Sequence, residues 1–79
     1  MNGLQSYLRR VERQTVIVNL VSGTSVRGVL MAVYRDCIVL RHASAAPNGA
    51  RELVDVDGEQ AIPRGNVDWI QVLPTEEAS

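Results

Sequence analysis

The sequence predicts an all-β domain with a short N-terminal helix, and three observations carry that prediction. Apolar residues near the start recur at spacings of three and four, the period of a helix face. After that the chain is a series of β-branched runs, Val and Ile above all. Gly, Asn, Asp and Ser pairs separate those runs at intervals of about 8–12 residues, the rhythm of a small barrel or sandwich.

Leu4, Tyr7, Leu8 and Val11 share one helical face, so residues 4–11 are predicted to form a two-turn helix. From Thr15 the period changes. Thr15 to Val21 is nearly continuous and β-branched, a first strand that Ser22-Gly23-Thr24 ends in a turn. Ser25 to Tyr34 is a second strand, and Gly28 inside it marks a bulge or sharp bend. Arg35-Asp36 breaks the chain before a third short strand, Cys37 to His42, which completes a meander.

Ala43 to Ala50, with Pro47 and Asn48-Gly49, reads as a loop by composition. Arg51 to Val56 alternates as a strand, and Glu59 to Ile62 is extended again. Asp57-Gly58 between them is either a hairpin turn or a bulge within one bent strand. Pro63 cannot donate to a ladder, Arg64-Gly65-Asn66 is a turn, and Val67 to Leu73 is the last strand. Residues 15–73 thus form the β region of a single domain, 1–79, with residues 74–79 as a flexible acidic tail.

At 79 residues, 46% hydrophobic and 22% charged, the chain is one small module with enough apolar content to fold. A domain of this size buries a modest fraction of its surface, and a partner that covers more is the natural remedy. One cysteine, Cys37, permits no internal disulfide, and with the single His42 it forms no zinc-ligand cluster. No apolar run approaches a membrane span and the N-terminus lacks a signal-peptide core, so the expected setting is soluble. Cys37 and His42, five positions apart in one strand, point to opposite faces and make no dyad. The carboxylates between Glu52 and Glu59 read as a solvated face, and no glycine-rich phosphate loop is present. No enzyme, cofactor or metal is expected.

The net charge is −1 but divided. Residues 1–41 hold six arginines against Glu12 and Asp36, a balance of +4; residues 42–79 hold Arg51 and Arg64 against seven acids, a balance of −5. Opposed basic and acidic faces favour head-to-tail association between copies or ion pairing within one. Tyr7, Tyr34 and Trp69 are the only aromatic residues, too few for a broad base-stacking platform, so Trp69 reads as core or interface.

Two stretches resemble the Sm and Sm-like (LSm, Hfq) family. The frame Val16-x-Val18-x-Leu20-x-Ser22-Gly23, then Gly28, Leu30 and Ile38-Val39-Leu40, is similar to the family's first motif. Ile62-Pro63-Arg64-Gly65-Asn66-Val67-x-x-Ile70 resembles the second, normally isoleucine-arginine-glycine followed by spaced apolar positions. The resemblance implies a five-stranded, strongly bent Sm-like (SH3-like) barrel. It also implies that the last two strands, through Glu59, Ile62, Val67, Trp69, Ile70 and Val72, pair with neighbouring copies in a homo-oligomeric ring.

In RNA-binding members of the family an aspartate and an asparagine after the second strand bracket a base-stacking residue, and the second-motif arginine completes a uracil pocket. Here the aspartate position holds Tyr34, the stacking position Asp36, and the asparagine position Ile38, or Cys37 when the turn is one residue shorter. Only Arg64 carries over, with Pro63 directly before it. The resemblance therefore implies at most RNA contact without uridine specificity, through Arg64 with Arg9, Arg10 and Arg13 on phosphates.

The function expected is a non-enzymatic, ring-forming assembly module. Its partners are copies of itself and other virion or assembly proteins, as in a bacteriophage virion or scaffold component, cytoplasmic or virion-associated. The alternative is an RNA-binding Sm-like protein with a degenerate uridine pocket. A third reading, an unrelated SH3-like or OB barrel that binds a protein, fits the strand count as well.

Overall fold

The computed structural model describes residues 3–48 and 51–74. Helix α1, Gly3–Arg10, starts one residue before the predicted span. Of the predicted apolar face, Leu8 and Val11 are buried in the core, whereas Leu4 and Tyr7 are about half exposed. The reason is where the helix docks. Its C-terminal end is tied to the sheet just beyond the last turn: Arg13 N–H donates to the Leu30 carbonyl at 2.6 Å, and Leu30 N–H donates to the Gln14 carbonyl at 3.0 Å. Arg13 takes a left-handed φ of 75° to reverse the chain there.

Six strands follow: β1 Thr15–Leu20, β2 Ser25–Val33, β3 Cys37–Ala46, β4 Val54–Val56, β5 Gln60–Pro63 and β6 Val67–Val72. All pairings are antiparallel in one sheet ordered β4-β3-β2-β1-β6, with β5 also on β3. The predicted meander is present, and its alternation supplies the core. Val16 and Val18 of β1, Val26, Leu30 and Val33 of β2, and Ile38, Leu40 and Ala43 of β3 are buried together with Leu8, Val11 and Ile62. Among the described residues no polar or charged residue is buried with them.

A sheet this small encloses a core only by bending, and Gly28 sits at the bend. The β2–β3 register shifts between Arg27 and Val29. A Cβ at Gly28 would lie 3.0 Å from the Arg41 carbonyl oxygen and 3.3 Å from Ala43, so the two backbones pass too close for a side chain. On β3 the inward phase then changes from even to odd numbers: Ile38 and Leu40 are buried, Arg41 and His42 are both exposed, and Ala43 is buried. His42, at φ 52°, makes the change.

That irregularity settles the role of Asp57-Gly58. β5 pairs with the first part of β3 (Leu40 opposite Gln60) and β4 with the second (Ala43 opposite Val56). Three residues, Asp57 to Glu59, therefore face only Arg41 and His42, and the pair is a bulge in one bent strand, not a hairpin turn. Counted so, the chain has the expected five strands.

Two sequence expectations need correction. Residues 43–46 are strand, not loop, because β3 runs on to Ala46 between β2 and β4. Arg51 to Leu53 lie outside the strand that begins at Val54. Pro63 closes β5 opposite Cys37, an end position that needs no N–H. Gly49 of the expected Asn-Gly turn and residues 75–79 of the tail lie outside the described residues.

Candidate functional site

The sheet does not close on itself. Among the described residues β6 pairs only with β1, and β4 and β5 pair only with β3, so one chain presents two edges with unsatisfied backbone groups. Exposed large apolar side chains accompany both: Trp69 on β6 at 55% exposure and Val54 on β4 at 62%, with Leu53 beside it. Exposed, unpaired and apolar together are the features of an edge that adds another strand.

The six residues that the resemblance implies for subunit contact are placed unequally. Ile62 is 7% exposed and belongs to the chain's own core, because it is the inward residue of β5 opposite Ile38. Val67, Ile70 and Val72 are half-buried and pack against that core. Glu59 lies in the bulge, where its carboxylate sits 3.5 Å from Arg41 Nε across an exposed surface. Of the five apolar residues Trp69 alone stands clear, opposite Asn19 of β1, so of the two readings of Trp69, core or interface, the core is excluded. On these strands the groups left open are the backbone edge and Trp69, more than the alternating apolar residues.

A second feature lies where the β2–β3 turn meets the turn between β5 and β6. The Tyr34 N–H donates to the Cys37 carbonyl at 2.8 Å and closes a tight turn over Arg35 and Asp36. Arg64, first residue of a short 3-10 turn, holds that loop twice. Its backbone N–H donates to the Asp36 carbonyl at 2.9 Å and its Nη1 to the Tyr34 carbonyl at 3.0 Å. Tyr34, whose backbone this clip holds, is 55% exposed. An exposed tyrosine ring in a turn whose backbone an arginine anchors offers a stacking face, and the arginine a cation for a phosphate.

Arg9, Arg10 and Arg13 are all exposed but do not gather around Arg64. Arg64 shares a groove with Leu4 at the start of α1, whereas Arg9 and Arg10 are in its last turn, about 7.5–9 Å further along at 1.5 Å per residue. Cys37 is half-buried at the start of β3, and His42 is exposed at its bend. Among the described residues no cluster of His, Cys, Asp or Glu could hold a metal ion, and no helix is long and apolar enough to cross a membrane. Sequence reasoning missed Tyr34 as a partner of Arg64; the signal was its place at the family's aspartate position in a shortened turn.

No protein-family model matches the chain, and no curated protein does. Solved structures match it well. The P. aerophilum SmAP1 heptamer is 21% identical, with a TM-score of 0.79 over 95% of this chain and 99% of that one. The Pyrococcus abyssii Sm protein in complex with a uridine heptamer is 27% identical, with a TM-score of 0.77 over 92% of this chain and 100% of that one. A chain in the NatC complex bound to CoA is 24% identical, with a TM-score of 0.67 over 82% of each chain. The fold is Sm-like, a strongly bent antiparallel sheet behind one N-terminal helix, as the two sequence stretches imply.

Proposed function

We propose that this Sm-like chain is a non-enzymatic assembly subunit that joins its two open edges, β6 of one copy to the β4–β5 strand of the next, in a closed homo-oligomeric ring. The observation that carries the proposal is the pair of unpaired edges in a single chain, each with an exposed apolar residue beside it. Different edges meeting head to tail form a heterologous contact, and a heterologous contact that closes leaves no edge exposed. The heptameric state of the P. aerophilum protein supports the same geometry. Native mass spectrometry of the untagged protein tests it: a single closed stoichiometry is expected, and a monomer at every concentration overturns it.

A second reading, single-stranded RNA binding, is favoured by one observation: Arg64 clips the turn that presents Tyr34. The uridine complex of the Pyrococcus abyssii protein supports it. The Tyr34–Cys37 turn carries no side-chain amide at the position that reads a base in RNA-binding members, so contact through phosphate and ring face, without uridine preference, is the form we propose. Nothing in the fold or the comparisons supports a virion setting or virion partners.

A further inference from the structure

We infer that Asp57-Gly58, in the bulge between β4 and β5, is a site of spontaneous backbone isomerisation, where aspartate passes through a cyclic succinimide to isoaspartate. The step is a ring closure between neighbours. The Gly58 amide nitrogen attacks the Asp57 side-chain carboxyl carbon; an N–C bond forms, a C–O bond breaks, and the carboxyl OH leaves with the amide proton as water. Water then opens the ring at either carbonyl. Opening at the main-chain carbonyl routes the chain through the former side chain, which lengthens the backbone by one CH2 and frees an α-carboxylate; opening at the other restores aspartate. Oxidation states do not change, and the water released returns in the second step.

Three conditions favour this closure on a folded chain, and Asp57-Gly58 meets all of them. The attacking nitrogen must not be shielded by the side chain that follows. Gly58 has none, and nothing stands within 4 Å of where a Cβ would be. Both reacting groups must be without partners. Among the described residues no hydrogen bond takes the Gly58 N–H, and no hydrogen bond or ion pair holds the Asp57 carboxylate. Gln60 Nε2 donates to the Asp57 carbonyl at 2.9 Å, which engages neither reacting atom. The backbone must also be able to turn. Asp57 to Glu59 are exposed and lie between the Ala43–Val56 and Leu40–Gln60 pairings, so no ladder partner fixes them. A cavity of about 440 Å³ between Asp57-Gly58 and the Arg41-His42 bend leaves room for the ring and for the water that opens it.

The other aspartates each lack one of these conditions. Asp55 accepts from Ser44 Oγ at 2.9 Å, and the nitrogen after it belongs to the β-branched Val56 inside β4. Asp68 precedes Trp69 inside β6. Asp36 precedes Cys37, and its carbonyl is held by the Arg64 N–H at 2.9 Å.

The bulge also tolerates the product. Three residues already face two there, so an added CH2 lengthens a segment that belongs to neither register, and the pairings on both sides stand. The isoaspartyl form therefore accumulates on a folded domain with its free α-carboxylate toward solvent. That carboxylate is the substrate class of isoaspartyl carboxyl methyltransferases, which pass a methyl group from a sulfonium donor to the carboxylate oxygen.

The test ages the full-length protein in mildly acidic buffer, folded and in parallel in urea. Tryptic residues 52–64 hold both Asp55 and Asp57, and electron-transfer fragmentation places isoaspartate at one or the other. The expected result is isoaspartate at position 57 of the folded protein, forming within a few-fold of its rate in urea, with none at position 55 and an unchanged circular dichroism spectrum. An isoaspartyl methyltransferase with labelled S-adenosylmethionine should mark the same peptide. Asp57→Glu, which would need a six-membered ring, should abolish the product and keep the fold, and Gly58→Ala should slow it several-fold. A folded protein that keeps Asp57 intact while the protein in urea converts overturns the inference. So does equal conversion at Asp55 and Asp57.

Discussion

Arg64 donates its Nη1 to the carbonyl oxygen of Tyr34 at 3.0 Å, across 30 positions of the chain. One arginine thereby fixes the turn that presents the aromatic ring, while its remaining N–H groups stay available to an anion. Stability and ligand contact are combined in a single side chain, and substitutions separate them.

Arg64→Ala is expected to cost about 1 kcal/mol of folding stability, the net value of an exposed hydrogen bond, and to weaken oligonucleotide binding. Tyr34→Ala leaves stability almost unchanged and costs about 1–3 kcal/mol of binding, the value of one stacked base. Urea unfolding beside filter binding of oligouridine and oligoadenine at low and raised salt separates the two effects. Equal retention of both RNAs, falling with salt, is the expected pattern; binding indifferent to both substitutions removes the RNA reading.

Leu30 is fully buried at the bend of β2, opposite Leu40. Leu30→Ala should cost about 2–5 kcal/mol through lost burial and the cavity left behind. For a domain this small that is a large share of its stability, and thermal unfolding by circular dichroism should show a much lower midpoint or no transition.

Gly58 has φ +79°, with nothing within 4 Å of where a Cβ would stand. Gly58→Ala therefore tests backbone conformation alone and should cost about 1–2 kcal/mol, with Gly58→Asn milder because asparagine tolerates the left-handed region. Equal unfolding midpoints for glycine and alanine would show that the bulge relaxes without it.

The Arg41–Glu59 pair spans the same bulge, with both side chains at least half exposed. Solvent screens it, so Glu59→Gln should change stability by less than about 0.5 kcal/mol, and added salt should not enlarge the difference. A loss several times larger would assign the bulge to the ion pair rather than to backbone geometry.

Elements set by local chemistry were legible in the sequence. The β-branched runs of β1 and β2, the helical period before them and the glycine at the bend each declare themselves within a few residues. Where pairing decides, local reading stopped short. Ala43 to Ala46 has weak strand propensity, yet β2 and β4 bond it from both sides and hold it extended. Asp57-Gly58 suits a turn or a bulge equally, and only the shared partner β3 distinguishes them. The Sm-like motifs pointed to Arg64, but its contact with Tyr34 joins distant turns and has no periodic signature. Trp69 could be placed in a strand, while its exposure follows from the phase of β6, in which Ile70 and Val72 turn to the core and Trp69 to the other face.

The link of residues 11–14 between α1 and β1 has the composition of an accessible tether, yet it is fastened to Leu30 by hydrogen bonds in both directions. Lifting it away breaks both bonds and draws Val11 out of the core it shares with Leu8 and Leu30. Local opening of this segment therefore carries a cost that a free tether does not, and protects it from a protease. Limited digestion should spare the helix-to-strand junction for as long as the barrel stands, which makes α1 a structural member of the domain and not an appendage.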